Sequence, residues 1–146
     1  FELAVERVVA AVEAARSLAF PFCLTARAEN LWRSGPDLDD TIRRLCAFEA
    51  AGADVLYAPG LKTLDEVREV TAALGKPVNV LGPMVAGASV EELSAAGARR
   101  ISVGGALARA ATTALVDAGR ALLDHGSFSW SANLLDGTQL KRLLGR

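Results

Sequence analysis

Histidine is almost missing from this chain: His125 is the only one in 146 residues. A Ser-His-Asp set cannot be argued from one imidazole that follows a long helical pattern. A solvated cap complementing the helix dipole is the leading reading for His125, with catalysis as the alternative. Cysteine is scarce too. Cys23 and Cys46 are the only two, which argues against a disulfide framework or a cysteine-based metal site. Both fall in apolar patterns, so buried free thiols in a reducing compartment are expected, and a cytoplasmic location with them. Aromatics make up 5% of residues, and sixteen basic against seventeen acidic residues leave a net charge of −1. With no basic stripe and no interleaved aromatics, nucleic acid is excluded as the expected partner. No apolar run approaches the roughly 20 residues that span a bilayer. The first segment carries Glu2, Glu6 and Arg7 among its apolar residues, unlike a signal peptide.

What the chain has is alternation. Residues 3–18 carry Val5, Val8, Val9 and Val12 at helical spacing. The apolar run 20–26, FPFCLTA, reads as a strand buried on both faces, and Arg27 stands at its end. A loop of about ten residues, AENLWRSGPD, leads to Asp37, an N-cap for the next helix, which Gly52 stops. Further strands are expected at 54–57, 77–81 and 100–103. Thr63 with Glu66, and Ser89 with Glu92, are capping-box pairs. A long Ala-rich helix covers about 106–124, and a last one 138–144. AAGAD at 50–54 and AAGAR at 95–99 repeat one joint. Helix, glycine stop, strand and loop recur as βα units, which calls for a parallel α/β sheet. Four such strands form either a small open sheet or about half of a barrel, since a complete (β/α)8 barrel takes about 250 residues. A start at Phe1 and a leading helix favour the half barrel. The chain reads as one domain, 1–146, with 126–146 a terminal loop and helix.

In such folds ligands meet the C-terminal ends of the strands. These ends deliver Arg27 and Glu29, then Tyr57 with the Pro59-Gly60 turn, then Asn79, then Ser102 with Gly104 and Gly105. A guanidinium matches a carboxylate or phosphate as a fork. A structural ion pair is the competing reading for Arg27. Glu29, two residues on, points to the same side and is placed to orient Arg27. Asn79 puts a polar amide inside PVNVL, a costly choice unless it is hydrogen-bonded; it either meets a ligand or organises the site. Gly104 and Gly105 permit close backbone approach to an oxyanion, or simply make a tight turn. Together these residues suit a small anionic substrate. A phosphate site on an unrelated α/β domain is the alternative.

The blocks LTARAEN, LDDTIRRLCAFEAAGADVLYAPG, KPVNVL and GARRISVGGALARAA resemble, in order, the isocitrate lyase/phosphoenolpyruvate mutase superfamily, from about Ala4 to Leu123. The resemblance covers the C-terminal half of that family's (β/α)8 barrel. It implies a lyase-type enzyme that cleaves a C–C bond in a small oxo- or hydroxy-carboxylate through an enolate-like pyruvate species. Phosphonopyruvate chemistry at a P–C bond is an alternative. It also implies Mg2+, with ligands upstream of Phe1, and a homotetramer built as a dimer of dimers that exchanges its last helices. By position Arg27 matches the family arginine that binds a substrate carboxylate or phosphonate, and Asn79 falls on a strand lining the family pocket. Cys23 and Cys46 match no catalytic loop. One departure is plain: where characterised lyases and mutases place a Glu or His, this chain has Pro59. That motivates a second reading, a weakly active or non-catalytic binder of 2-oxo acids.

Overall fold

The computed structural model describes residues 1–33, 35 and 37–145. Ser34 and Pro36, inside the expected loop, and the terminal Arg146 lie outside the described residues. Two compact units emerge, Phe1–Gly104 and Gly105–Arg146, so the division falls at the glycine pair.

The first unit is a run of βα units. Helix α1 (Glu2–Arg16) leads to β1 (Thr25–Arg27), then α2 (Asn30–Arg33), α3 (Leu38–Ala50), β2 (Val55–Tyr57), α4 (Leu64–Ala72), β3 (Val78–Leu81), α5 (Val90–Ala95) and β4 (Arg100–Ser102). The strands lie parallel in the order β1-β2-β3-β4. The caps form as the sequence dictates. Asp37 accepts from the Asp40 amide at 2.8 Å. Thr63 and Glu66 exchange both capping-box bonds, as do Ser89 and Glu92, each satisfying amide donors that no helical turn reaches. The backbone bond to Ser89 is the main reason the Glu92 carboxyl sits below its ordinary range.

Successive side chains alternate between the two faces of a strand. Ala26, Leu56, Val78 and Val80 face the helices, where they join Leu45, Phe48, Val67, Val70 and Leu93 in one buried cluster. The opposite face carries the register row Arg27, Tyr57, Asn79 and Arg100, one residue per strand. The sheet bends toward that row. In a flat sheet β1 and β4 would stand about 14 Å apart, three interstrand spacings. Yet Arg100 Nη2 donates to Thr25 Oγ1 at 2.9 Å. A single side chain bridges the two outer strands only if the face carrying it is strongly concave, as on the inside of a barrel.

Two expectations fail at the start of the sheet. The buried strand over 20–26 shrinks to Thr25–Arg27, and Phe20 and Phe22 are 59% and 52% exposed. Pairing with β2 begins at Thr25 opposite Val55. Ahead of it the chain is tied only through Leu24, whose amide donates to Asp54 Oδ2 at 2.8 Å. Cys23 and Cys46 are exposed rather than buried, one ahead of the paired segment and the other on α3 with its Sγ 3.8 Å from the Ala73 carbonyl at the end of α4.

The second unit holds α6 (Ala106–His125), a 3-10 turn at Ser129–Asn133 and α7 (Gly137–Leu143). His125 is the last residue of α6, and Gly126 closes the helix in the left-handed conformation. None of these helices has a buried residue. No described helix is long and apolar enough to cross a membrane.

Candidate functional site

The C-terminal end of β1 holds the most organised charge in the chain. Arg27 follows the last buried residue of that strand, Ala26, and is half exposed. Its Nε contacts Glu29 Oε1, and its guanidinium lies 5.2 Å from the centre of the Tyr57 ring on the neighbouring strand. Glu29 and Tyr57 thus fix the plane of the guanidinium from two sides. No partner for the Arg27 Nη atoms is found among the described residues, so the outer edge of the fork is open. Glu29 Oε2 also lies 3.8 Å from Arg33 Nε, one helical turn on.

Helix α2 occupies part of what the sequence suggested was loop. Asn30 anchors it: Nδ2 donates to Thr41 Oγ1 at 2.7 Å, Asp40 Oδ2 at 3.2 Å and the Asp37 carbonyl at 3.3 Å. Its Oδ1 is buried with no partner among the described residues. Asp40 in turn accepts from Arg44 Nε at 2.6 Å and contacts Arg43. The Arg44 bond first, and Arg43 after it, hold the Asp40 carboxyl below the ordinary carboxylate range.

Asn79 is 1% exposed, and both ends of its amide are engaged. Oδ1 accepts from Arg100 Nε at 2.9 Å, and Nδ2 donates to Ser102 Oγ at 3.1 Å. A molecule approaching the concave face meets Arg100 and Ser102 before Asn79. Sequence reasoning misses Arg100 because a cation at the start of a strand looks like a solvated charge. Only the curvature of four strands turns it inward. Gly104 has φ +52°, and a Cβ there would touch Leu81 Cδ1 at 3.4 Å. Gly105 is the N-cap of α6, without a side-chain cap bond. Pro59, after β2, is almost fully buried and offers no donor.

The described residues do not fit a metal ion: no group of three or more His, Cys, Asp or Glu converges. The carboxylates nearest Arg27 are occupied, Glu29 by Arg27 and Arg33, and Asp40 by Arg43 and Arg44.

Comparison with known proteins adds to this geometry. The family model described as phosphoenolpyruvate phosphomutase matches residues 1–123. A Burkholderia cenocepacia J2315 structure, described as that of a lyase/mutase, is 49% identical with a TM-score of 0.91; the match covers 99% of this chain and 52% of that one. An oxaloacetate acetylhydrolase, solved with its product oxalate, is 29% identical with a TM-score of 0.75, over 97% of this chain and 48% of that one. An oxaloacetate decarboxylase of Bradyrhizobium diazoefficiens is 44% identical over 91 residues, 58% of this chain and 30% of the relative. The chain spans about half the length of these solved structures, and its curved parallel sheet is the corresponding half of an α/β barrel.

Proposed function

Because the chain belongs to the phosphoenolpyruvate phosphomutase family, within the phosphoenolpyruvate mutase/isocitrate lyase superfamily, we propose that it supplies the C-terminal half of a lyase. The reaction is cleavage of a C–C bond in a small oxo- or hydroxy-carboxylate, with an enolate-like pyruvate species as the product first formed. The observation that carries this reading is the open fork of Arg27 at a strand's C-terminal end, its Nε already held by Glu29. A carboxylate seated on that fork gains two parallel charge-assisted bonds and a fixed plane. Glu29 organises the site by aiming the guanidinium. Asn79 acts through its neighbours, keeping Ser102 and Arg100 in place. Gly104 and Gly105 allow a backbone N–H close approach to developing negative charge.

The family resemblance implies Mg2+, but the carboxylates nearest Arg27, Glu29 and Asp40, are already paired with arginines. Its ligands are therefore assigned to sequence outside this chain, and no step here runs through it. The test is oxalate binding by calorimetry, with and without Mg2+, on the chain extended by the family's N-terminal half. Mg2+-dependent binding followed by pyruvate release from oxaloacetate is the expected result. No binding in either condition would overturn the reading. Pro59 favours one second reading, a binder of 2-oxo acids without turnover. Oxalate binding with no pyruvate release from any C4–C7 oxo- or hydroxy-acid would select it.

A further inference from the structure

A cavity of about 430 Å3 opens at the edge of the sheet away from Arg27, beside the N-terminal ends of β3 and β4. Lys76 and Arg99 stand just ahead of those strands, and Arg68 reaches in from α4. All three line the cavity, and no carboxylate does. The chain as a whole has a net charge of −1, so three cations around one hollow are a local excess. Arg68 Nη1 bonds Asp65 Oδ1 at 2.6 Å, one turn back on α4, which leaves its Nε and Nη2 without a partner among the described residues. The side chains of Lys76 and Arg99 have none among the described residues. Glu49, beside the cavity, is held by the Gly75 amide, 3.1 and 3.2 Å from its two oxygens. Two helices end here, α4 and α5, and cations at a helix C-terminus complement its dipole. That accounts for part of the charge only: each helix end carries about half a negative charge, so the two together offset about one cation of the three. The hollow also cannot close by moving the helices together. Thr71 Oγ1 donates to the Ala96 carbonyl at 2.7 Å, and Gly97 sits so near Thr71 that a Cβ there would lie 2.5 Å from Oγ1.

We infer that this cavity binds a phosphate group, free or carried by a small ester, at a site separate from Arg27. Barrels of this kind place their chemistry at the other end of the strands, so the lyase reading does not account for the charge gathered here. Like charges this close raise one another's energy unless an anion joins them. Arg68 and Arg99 offer guanidinium donors and Lys76 a compact point charge, a set that suits a tetrahedral dianion. The volume lies within the range of ligand pockets, about 300–1,000 Å3, and leaves room for a few carbons beside the phosphate group.

The test is calorimetry with inorganic phosphate on the chain extended by the family's N-terminal half, with Arg27→Gln in the background so that the fork at β1 does not report. Phosphate is expected to bind, and to bind more weakly as NaCl is added. Lys76→Gln together with Arg99→Gln should weaken it by about tenfold or more, because two charge-assisted contacts go. The thermal midpoint without phosphate should stay where it was, since both residues are exposed and their side chains have no partner among the described residues. Lys62→Gln, a cation outside this cavity, should leave phosphate binding intact. No phosphate binding, binding that survives the double substitution, or an equal loss with Lys62→Gln would each overturn the inference. Glycerol 3-phosphate separates the two sources of the group: tighter binding than phosphate assigns the cavity to a small ester, and weaker binding assigns it to the free ion. The lyase reading is tested by oxalate on the extended polypeptide with Arg27 intact, so either idea can fall while the other stands.

Discussion

Replacing Asn79 by alanine should destabilise the first unit by about 2–3 kcal/mol. The substitution deletes the Arg100 Nε bond at 2.9 Å and the Ser102 Oγ bond at 3.1 Å. A bond to a charged group is worth about 1.5–3 kcal/mol net, and a neutral one about 0.5–1.5. Arg100 is exposed and Ser102 half-buried, so both regain water once the amide is gone. The low ends therefore apply, about 2 kcal/mol together. The void left at a 1% exposed position adds up to about 1 kcal/mol more. Urea unfolding followed by circular dichroism reads the loss. A double-mutant cycle with Arg100→Met isolates the pair, with an expected coupling of about 1.5 kcal/mol. A loss below about 0.5 kcal/mol, in the range of an ordinary surface change, would refute the reasoning, as would strict additivity with Arg100→Met. The amide would then be a passenger on the concave face rather than its organiser.

Other expectations follow from the same geometry. Arg27→Ala should weaken oxalate binding by about 2 kcal/mol, the low end for losing one member of a charge pair because the site is half open, and Arg27→Lys should rescue it poorly for want of a planar fork; calorimetry on the extended polypeptide decides. Gly97→Ala should cost about 2–5 kcal/mol in urea unfolding, since φ is +97° and the new Cβ would lie 2.5 Å from Thr71 Oγ1. Gly87→Ala, with φ +73° and nothing within 4 Å, should cost only the backbone part. The carboxyl of Asp40 is depressed from 3.8 by Arg44 and then Arg43. A depressed carboxylate stabilises the fold above its unfolded value and loses that contribution as pH falls through the folded one. Asp40→Asn should therefore flatten the stability profile below about pH 4; an unchanged acid limb would rule the pair out as a contributor.

The βα rhythm is legible because its punctuation is chemical. Thr63, Glu66, Ser89, Glu92 and Asp37 announce helix starts whatever lies around them, and the structure places caps at each. A third capping box, Asp136 with Gln139, carries the same signal at the last helix. The apolar run over 20–26 overstates its strand because apolarity reports what a residue avoids, not which backbone it pairs with. Phe20 and Phe22 precede the first rung shared with β2. Arg27 and Glu29 can be placed side by side from a spacing of two alone. Arg33, Arg44 and Arg100 cannot. Their arrangement depends on how α1 and α3 pack around β1, and on the bend of the whole sheet, neither of which any local window of sequence contains.

The side chain that joins β4 back to β1 has a consequence for how the sheet is made. Each strand pairs with the one before it in the chain, so growth can proceed unit by unit with only short-range closures. The Arg100–Thr25 bond is different: it joins residues 75 positions apart. It is a chord drawn across an arc, and it cannot form until all four strands have been laid down with the correct bend. A probe placed on that chord would report the completion of curvature rather than the formation of any single strand.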